Sequence, residues 1–210
     1  SEKYWIRMCL VLTMGLTIVA VIGTYSRGAL SALAVMGLFY AIKSRAGLIP
    51  LLLGGVVILA LPSLVPASWF ERMSTINSYG QDSSFEGRVE AWRTSFNIAE
   101  ARITGGGFSS VNLGDVALAY HSPGSLTIGR AAHSIYFEVL GDHGFIGLAI
   151  FLMLIAAAWY NTATTLSFAK GKPELDWAVK LARMMQVSII GFVTGGALLS
   201  MAYYDGFLII

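Results

Sequence analysis

The stretch RAAHSIYFEVLGDHGFIGLAIFL, residues 130–152, holds the signals that decide the fold. A short helix is predicted over residues 134–140, where a serine precedes an apolar run. The sequence GDHG at residues 141–144 then predicts a break, because glycines interrupt the helical pattern. A continuous apolar run over residues 145–160 follows and is predicted to span a membrane. The stretch therefore joins a membrane span to a polar region that precedes it.

The composition of the whole chain is that of a membrane protein. Of its 210 residues, 56% are hydrophobic and 12% are charged, and the mean hydropathy is +0.68, whereas soluble domains are roughly 25% charged. Cys9 is the only cysteine, which excludes disulfides and a cysteine-based metal centre. The first apolar run is long enough to span, so a cleavable signal peptide is not predicted. The chain starts at Ser1 and stops within an apolar sequence, and we expect it to be part of a longer protein.

Apolar runs and one long polar stretch organise the chain. Residues 67–132, called the polar segment below, are too many for a simple connection. The predicted fold is an all-α, polytopic transmembrane helical bundle with a long external, periplasmic helical segment between spans three and four. Three regions are expected: 1–66 with three transmembrane helices, 67–144 with the polar segment and the substrate site, and 145–210 with further transmembrane helices. The five predicted spans are residues 4–22, 29–42, 48–65, 145–160 and 184–202.

Lysine and arginine in the short loops predict the orientation of these spans. Cytoplasmic loops carry an excess of these residues, and alternation of the spans places every short basic loop on one side. The polar segment and the turn at residues 26–28 are then predicted on the opposite, periplasmic side. The basic residues of the predicted cytoplasmic side are Lys3, Arg7, Lys43, Arg45, Lys170, Lys172, Lys180 and Arg183.

The two sides differ in the kind of cation that they carry. All five lysines are on the predicted cytoplasmic side, and the periplasmic cations are all arginines. Arginine offers a planar fork that binds phosphate through two hydrogen bonds, whereas lysine is a point charge. A phosphate ligand is therefore one explanation, and ordinary salt bridges with nearby carboxylates are the other. The periplasmic arginines are Arg27, Arg72, Arg88, Arg93, Arg102 and Arg130.

Arg27 lies at an unfavourable position within GTYSRGAL, residues 23–30. Ser26 is predicted to cap the second span, which places Arg27 in the first turn of that helix. The positive end of the helix dipole should repel a cation there. Two interpretations stay open. Either the guanidinium extends into lipid head groups, or a negatively charged ligand contacts both the arginine and the helix terminus.

The polar segment contains a predicted helix and a glycine-rich turn, within SFEGRVEAWRTSFNIAEARITGGGFSS, residues 84–110. Arg88 is predicted in the first turn of this helix, which repeats the arrangement at Arg27. Residues 105–107 are all glycine, which fits either a backbone nest for an anion or a flexible turn. An apolar stripe at helical spacing is predicted to face the membrane surface or the spans, and it consists of Val89, Trp92, Phe96, Ala99 and Ile103.

Three histidines occur in the chain, and one of them is a candidate general base. His133 opens a helix, and its neutral imidazole can accept a proton; a capping or packing role is the alternative. Glu138 and Asp142, one helical turn apart, are predicted to orient His133 or to hold an acceptor. His121 and His143 are predicted to be structural, and the three histidines lack the spacing of a zinc site.

Three motifs together resemble those of the O-antigen ligase/polymerase superfamily of bacterial inner-membrane proteins, and most closely its ligase branch. They are TYSRGALSAL, GRVEAWRTSFNIAEARITGGGFSS and AHSIYFEVLGDHGFIGLAIFL, in the expected order over most of residues 20–155. Members have more spans than this chain, so the resemblance implies a C-terminal portion. It also implies glycosyl transfer at the periplasmic face, in which a ligase moves O-antigen polysaccharide from undecaprenyl pyrophosphate to lipid A-core.

The resemblance also assigns roles to residues of this chain. Arg27 and Arg88 match the family arginines that hold the pyrophosphate, and His133 matches the histidine that activates the acceptor hydroxyl. The implied enzyme is a metal-independent, inverting glycosyltransferase without a cofactor. Its partners are the lipid-linked polysaccharide donor, the lipid A-core acceptor and the bilayer, with no nucleic acid. Further substrate contacts are predicted for Arg93, Arg130, Glu138 and Gly106.

Other functions are compatible with the same residues. An O-antigen polymerase or a protein O-oligosaccharyl ligase of the same superfamily uses the same donor and differs in the acceptor. A membrane transporter is a non-enzymatic alternative, but it predicts charged residues inside the spans, and the predicted spans are essentially uncharged. A structural assembly factor is another alternative, and it would not need His133.

Overall fold

The computed structural model describes residues 2–24, 26–43, 83–112, 114–124 and 130–204. Helices dominate these residues and no strand occurs among them, so the all-α prediction is confirmed for this part of the chain. The predicted third span and Arg72 lie outside the described residues. The α-helices are α1 (Glu2–Gly23), α2 (Arg27–Lys43), α3 (Ser83–Ala101), α4 (Gly114–Tyr120), α5 (Ile135–Phe168) and α6 (Asp176–Gly196), and a 3₁₀ turn, Pro173–Leu175, joins α5 to α6.

Two of the described helices are long and apolar enough to cross a membrane. They are Lys3–Val21 within α1, with a mean hydropathy of 1.8, and Ile135–Phe168, with a mean hydropathy of 2.0. A shorter apolar helix, Gly28–Ile42, lies within α2. The apolar side chains of α1 are exposed in the described structure, as expected of a helix whose surroundings are lipid or other apolar helices.

The predicted fifth span, residues 184–202, is wrong in its bounds. The helix α6 starts eight residues earlier and ends at Gly196, before the predicted end. Its first turns are polar and contain an ion pair between Lys180 and Asp176, four residues apart, which is a spacing that stabilises helices. The polar residues lower the hydropathy of this part of the helix, so the apolar pattern alone misses it.

The predicted break in α5 is at Gly144. Its backbone has a φ of +64° and a ψ of −164°, which is non-helical and strained for any residue with a Cβ. A Cβ at this position would collide with the carbonyl oxygen of Ile103. The break therefore separates a short arm, residues 135–143, from the apolar part of the helix that follows.

Small residues let the helices approach one another closely. A Cβ added to Gly195 of α6 would lie 3.1 Å from the Cβ of Ala32 in α2, and one added to Gly196 would lie 2.6 Å from Ile135 at the start of α5. Such contacts are typical of helices packed in membranes. A Cβ added to Gly28 would similarly lie 3.0 Å from Leu198, just after α6. The start of α2, the end of α6 and the start of α5 therefore meet.

The predicted apolar stripe of α3 is confirmed in part. Ala99 is buried, and Trp92 stacks on Phe137. Phe96 packs edge-on against Phe145 of α5 with ring centres 5.9 Å apart, whereas Ile103 lies beyond the helix end. The buried face also includes the polar residue Ser95, whose hydroxyl donates to the Ala91 carbonyl at 2.9 Å, which satisfies the buried group within the helix. The face that packs against α5 is therefore wider than the stripe.

The glycine turn after α3 binds the arm of α5 through its backbone. The N–H of Gly106 donates to the Gly141 carbonyl and that of Gly107 to the Asp142 carbonyl, both at 2.9 Å. The N–H of Gly105 donates to the Arg102 carbonyl at 2.8 Å. All three N–H groups are thus already paired, and the anion nest considered for this turn is not formed. The glycine turn therefore serves to attach the end of α3 to the arm of α5.

Replacing Gly105 with alanine is expected to destabilise the protein much more than replacing Gly107. Both have positive φ, +78° and +93°, and each alanine costs about 1–2 kcal/mol for that conformation. Only at Gly105 does the added Cβ also meet backbone, at 2.5 Å from Asp142 and Gly144. Thermal unfolding of the detergent-solubilised variants measures the difference. Equal unfolding temperatures would contradict this packing of the turn.

Candidate active site

The backbone at His133 is held from both sides. Its N–H donates to the hydroxyl of Ser200 at 3.1 Å, and the preceding carbonyl, that of Ala132, accepts the indole N–H of Trp92 at 2.7 Å. The Trp92 ring stacks on Phe137 of α5, with ring centres 5.0 Å apart. His133 itself has a φ of +47°, a conformation in which histidine is enriched. These contacts fix the backbone from which the imidazole extends, just before α5 begins.

The imidazole of His133 is biased toward its neutral form. Its pKa is lowered from the ordinary value of 6.5, first by partial burial and then by the positive charge of Arg88. The ring remains accessible at the surface. A neutral and accessible imidazole at pH 7 can accept a proton from a hydroxyl that is brought to it.

Arg88 lies in the second turn of α3, because the helix begins at Ser83. The prediction that it occupies the first turn is therefore wrong. Its side chain is partly buried, and its Nε is fully buried without a hydrogen-bond partner among the described residues. An unpaired buried donor is costly. An anion that accepts from this N–H would remove that cost, so Arg88 has the properties expected of a ligand-binding arginine.

Arg130 crosses α3 next to Arg88. A Cβ added to Gly87 would lie 2.8 Å from Cδ of Arg130 and 3.2 Å from one of its terminal nitrogens. Glycine inside a helix costs up to about 1 kcal/mol relative to alanine, and here it makes room for this side chain. The structure therefore places Arg130 over the residue that precedes Arg88, and Arg88 in turn is close enough to His133 to lower the pKa of its imidazole.

The described carboxylates of the polar segment form no ion pairs with these arginines. Glu90 is buried and accepts the backbone N–H of Ser122 at 2.7 Å. Among the described residues, no carboxylate forms an ion pair with Arg88, Arg93 or Arg130. Within the described part of the chain, salt bridges therefore do not account for these three arginines.

Arg27 is the first residue of α2, as predicted. The Ser26 cap is confirmed, because its hydroxyl accepts the Ala29 N–H at 3.3 Å. The next residue, Gly28, packs against Leu198, and Ser200 two residues further on holds the backbone of His133. The helix start that carries Arg27 is thus linked through one short turn to His133.

The other predicted substrate contacts lie apart from this group. Arg93 is exposed and lies about 140° around α3 from Arg88, at 100° per residue. Glu138 accepts the N–H of Ala202 at 3.2 Å, so it anchors the turn after α6. Gly106 binds Gly141 through its N–H, as described above. The structure brings none of the three together with His133.

Asp142 joins several segments by hydrogen bonds and is not a partner of His133. It is 2% exposed, and its carboxylate accepts from the N–H groups of Ser109 and Ser110, from the Ser110 hydroxyl and from the Tyr203 hydroxyl at 2.7 Å. Burial, followed by this contact with Asp142, raises the pKa of Tyr203 well above its usual range. Tyr203 therefore stays protonated and donates. Asp142 ties the glycine turn to the turn after α6.

The other two histidines make structural contacts. The ring of His143 packs edge-on against Phe108 and Tyr203, at centre distances of 4.8 and 5.9 Å. Nδ1 of His121 lies 2.7 Å from the Leu118 carbonyl. Within the part of the chain that the structure describes, no three His, Cys, Asp or Glu side chains group as a metal site would require.

A sequence model of the O-antigen ligase family matches residues 12–152. The chain belongs to the O-antigen ligase family. The match includes Arg27, Arg88, Arg130 and His133, and it ends within the apolar part of α5. No curated protein and no solved structure matches the chain in the corresponding comparisons.

Membership of the O-antigen ligase family has consequences for the class of protein. The family consists of membrane-integral, glycosyltransferase-like enzymes, and the two long apolar helices agree with this class. It indicates a ligase-type or polymerase-type function. The resemblance seen in the three sequence motifs is confirmed at the level of the superfamily.

Two residues that position His133 were not predicted for that role from the sequence. Trp92 was assigned to an apolar stripe, and Ser200 lies outside every motif. Their partners are 40 and 67 residues away in the sequence, so no local pattern connects them. The sequence offers one indication of this role. Trp92 lies near the start of a polar helix, and a buried indole N–H needs a hydrogen-bond acceptor elsewhere in the chain.

Replacing Trp92 with phenylalanine is expected to slow transfer about three- to tenfold. The variant keeps an aromatic ring for stacking on Phe137 but loses the hydrogen bond to the Ala132 carbonyl, a contact worth about 0.5–1.5 kcal/mol. The effect should fall on kcat rather than KM, because donor binding does not use this contact. Steady-state kinetics separate the two. A change in KM alone would contradict a role in positioning His133.

Proposed function

We propose that this chain transfers O-antigen polysaccharide from undecaprenyl pyrophosphate to lipid A-core, at the periplasmic face of the bacterial inner membrane. Family membership supplies the reaction class. The observation that carries the site assignment is the proximity of two groups: Arg88, whose buried Nε has no partner among the described residues, and His133, whose imidazole is biased toward its neutral form. The reaction needs one group that stabilises the leaving-group anion and one group that accepts the proton of the acceptor hydroxyl.

The proposed chemistry is one displacement. The acceptor hydroxyl oxygen attacks the anomeric carbon, His133 takes the hydroxyl proton, and the bond from the anomeric carbon to the pyrophosphate oxygen breaks. The bonding electrons leave with the pyrophosphate, whose growing charge Arg88 and Arg27 neutralise. Attack on the face opposite the leaving group inverts the anomeric centre. Permanently charged guanidinium groups give this stabilisation without a divalent cation.

Arg130 and the start of α2 complete the proposed pyrophosphate site. Arg130 lies over Gly87 beside Arg88, which offers a second fork for phosphate oxygens. Arg27 begins α2, and the free N–H groups of a helix start favour an anion. The proposed pyrophosphate ligand would therefore explain why a positively charged residue, Arg27, stands at the start of a helix.

The proposed membrane placement follows from α5. The part of the helix after Gly144 is roughly 36 Å long at 1.5 Å per residue, which spans a hydrocarbon core of about 30 Å. The arm and His133 then lie at one membrane surface, where a lipid carrier presents its pyrophosphate. The excess of lysine at the opposite end of α5 supports a periplasmic position for His133.

A reconstituted transfer assay tests this function and separates its alternatives. The full-length protein that contains this chain is incubated with lipid-linked polysaccharide, in the presence of a chelator, and offered lipid A-core, free O-antigen repeat or acceptor protein. We expect product with lipid A-core and release of undecaprenyl pyrophosphate in equal amount. Product with the repeat alone would make the protein a polymerase, and product with the protein alone a protein ligase. Donor binding without any transfer would refute the enzymatic proposal.

A further inference from the structure

A cavity lies at the end of α5 that is remote from His133. It has a volume of about 570 Å³ and opens between the last turn of α5, the 3₁₀ turn and the first turns of α6. Roughly 36 Å of helix separates it from Gly144. The cavity is therefore at the opposite membrane surface, and it has no part in the proposed transfer.

Cations dominate the lining of this cavity. Lys170, Lys172 and Arg183 line it, together with one acidic residue, Asp176. Asp176 is paired with Lys180. The lining carries three cations and one carboxylate, and that carboxylate also pairs with a cation outside the lining. The cavity is thus positively charged, and an anion is the ligand that complements it.

The rim of the cavity is apolar and exposed. Phe168, which directly precedes the lining residues Ala169 and Lys170, is 69% exposed. An exposed apolar ring beside a basic pocket suits a ligand that carries both a charged head group and acyl chains. The ammonium of Lys172 lies 3.4 Å from the centre of the Phe168 ring, so one residue of the rim directly contacts one of the lining cations.

The base of the cavity is polar but uncharged. Gln186 lines it and is 5% exposed. Its amide offers both a donor and an acceptor, which suits a ligand with phosphate oxygens and hydroxyl groups. Leu166 and Val179 add an apolar wall. The cavity therefore combines charge, neutral hydrogen bonding and an apolar edge.

We propose that this cavity binds the head group of an anionic phospholipid. Basic pockets between transmembrane helices bind such head groups. The phosphate diester complements Lys170, Lys172 and Arg183, and the acyl chains lie along the exposed rim. Inorganic phosphate carries the same charge but has no apolar part that could contact the apolar side chains of the cavity. A phospholipid complements both the cations and these apolar side chains, so we expect it to be the ligand.

The test measures binding of short-chain phosphatidylglycerol to the full-length protein in detergent, with phosphatidylcholine and inorganic phosphate as separate ligands. We expect phosphatidylglycerol to bind at least tenfold more tightly than either. Arg183→Gln and Lys170→Gln should each weaken it about fivefold, as expected for one surface cation. The matched control is Arg102→Gln, the same change at an exposed position near the other end of α5, and it should leave binding unchanged.

Three results would overturn the proposal. If phosphatidylcholine binds equally well, the cavity does not recognise the negative charge of the head group. If inorganic phosphate binds equally well, the cavity does not recognise the lipid part of the ligand. Unchanged affinity in both lining variants would show that the ligand binds elsewhere. Circular dichroism of each variant confirms folding, and if one lining variant fails to fold, the other decides the outcome.

Discussion

Replacing His133 with asparagine is expected to reduce glycosyl transfer by roughly a hundredfold to ten-thousandfold, the usual contribution of a general base. Asparagine tolerates a positive φ as histidine does, so the backbone at +47° is retained without the strain that alanine would add. The amide cannot accept the acceptor proton at neutral pH. Donor binding should stay normal, because the arginines are untouched. The rate at saturating donor, with donor affinity measured separately, gives the result.

The pH dependence of the native enzyme follows from the same residue. Because burial and Arg88 lower the pKa of His133 below 6.5, the neutral base persists at neutral pH and is lost only as the pH falls through that lowered value. The rate should therefore decline on the acid side below pH 6.5. In Arg88→Gln the pKa rises back toward the ordinary value, which moves this decline of the residual rate to higher pH.

The controls for His133 are the other two histidines. His121→Asn changes a ring that contacts a local carbonyl, and it should leave the rate within a few-fold of native. His143→Asn loses ring packing against Phe108, so it should lower stability more than rate. Native activity in His133→Asn, at normal protein levels, would end the general-base assignment.

Replacing Arg88 with lysine is expected to slow transfer about tenfold to a hundredfold, although the charge is kept. Lysine lacks the buried Nε donor, which has no partner in the part of the chain that the structure describes, and cannot form a planar fork with two phosphate oxygens. A charge-assisted hydrogen bond is worth roughly 1.5–3 kcal/mol, and its loss acts on kcat if the bond is strongest as the leaving group departs. Arg88→Ala should be slower still.

Arg93→Lys is the matched control for Arg88→Lys. It is the same change on the same helix, but at an exposed position on another face, and transfer should be close to native. Rates are compared at saturating donor with protein levels measured alongside. If lysine at position 88 supports the native rate, the site needs only positive charge and the argument from arginine geometry fails.

Features that depend on a few neighbouring residues could be predicted from the sequence. Ser26 caps α2 because its hydroxyl reaches an N–H three residues on, and Gly144 breaks α5 because glycine is the residue that adopts its non-helical backbone without strain. Both signals are contained in one turn of chain. The same holds for the apolar character of α1 and α5, which composition alone gives.

Features that depend on a distant partner could not be predicted in this way. The prediction that Arg88 lies in the first turn of α3 is wrong because the helix already begins at Ser83, and Gly87 inside it admits the side chain of Arg130. The apolar stripe does not include the buried Ser95, whose hydroxyl is satisfied within the helix. The position of His133 depends on Trp92 and Ser200, whose contacts exist only once α3, α5 and α6 have packed.

The break at Gly144 has a mechanical consequence. In an unbroken helix of 34 residues, any tilt of the apolar part would also tilt the end next to His133. A span adjusts its tilt to bilayers that differ in thickness by a few ångströms. Here the arm is hydrogen-bonded to the glycine turn through Gly141 and Asp142, so its direction is set by the polar segment. If the apolar part of α5 spans the membrane as proposed, we expect the break at Gly144 to keep the orientation of His133 independent of bilayer thickness.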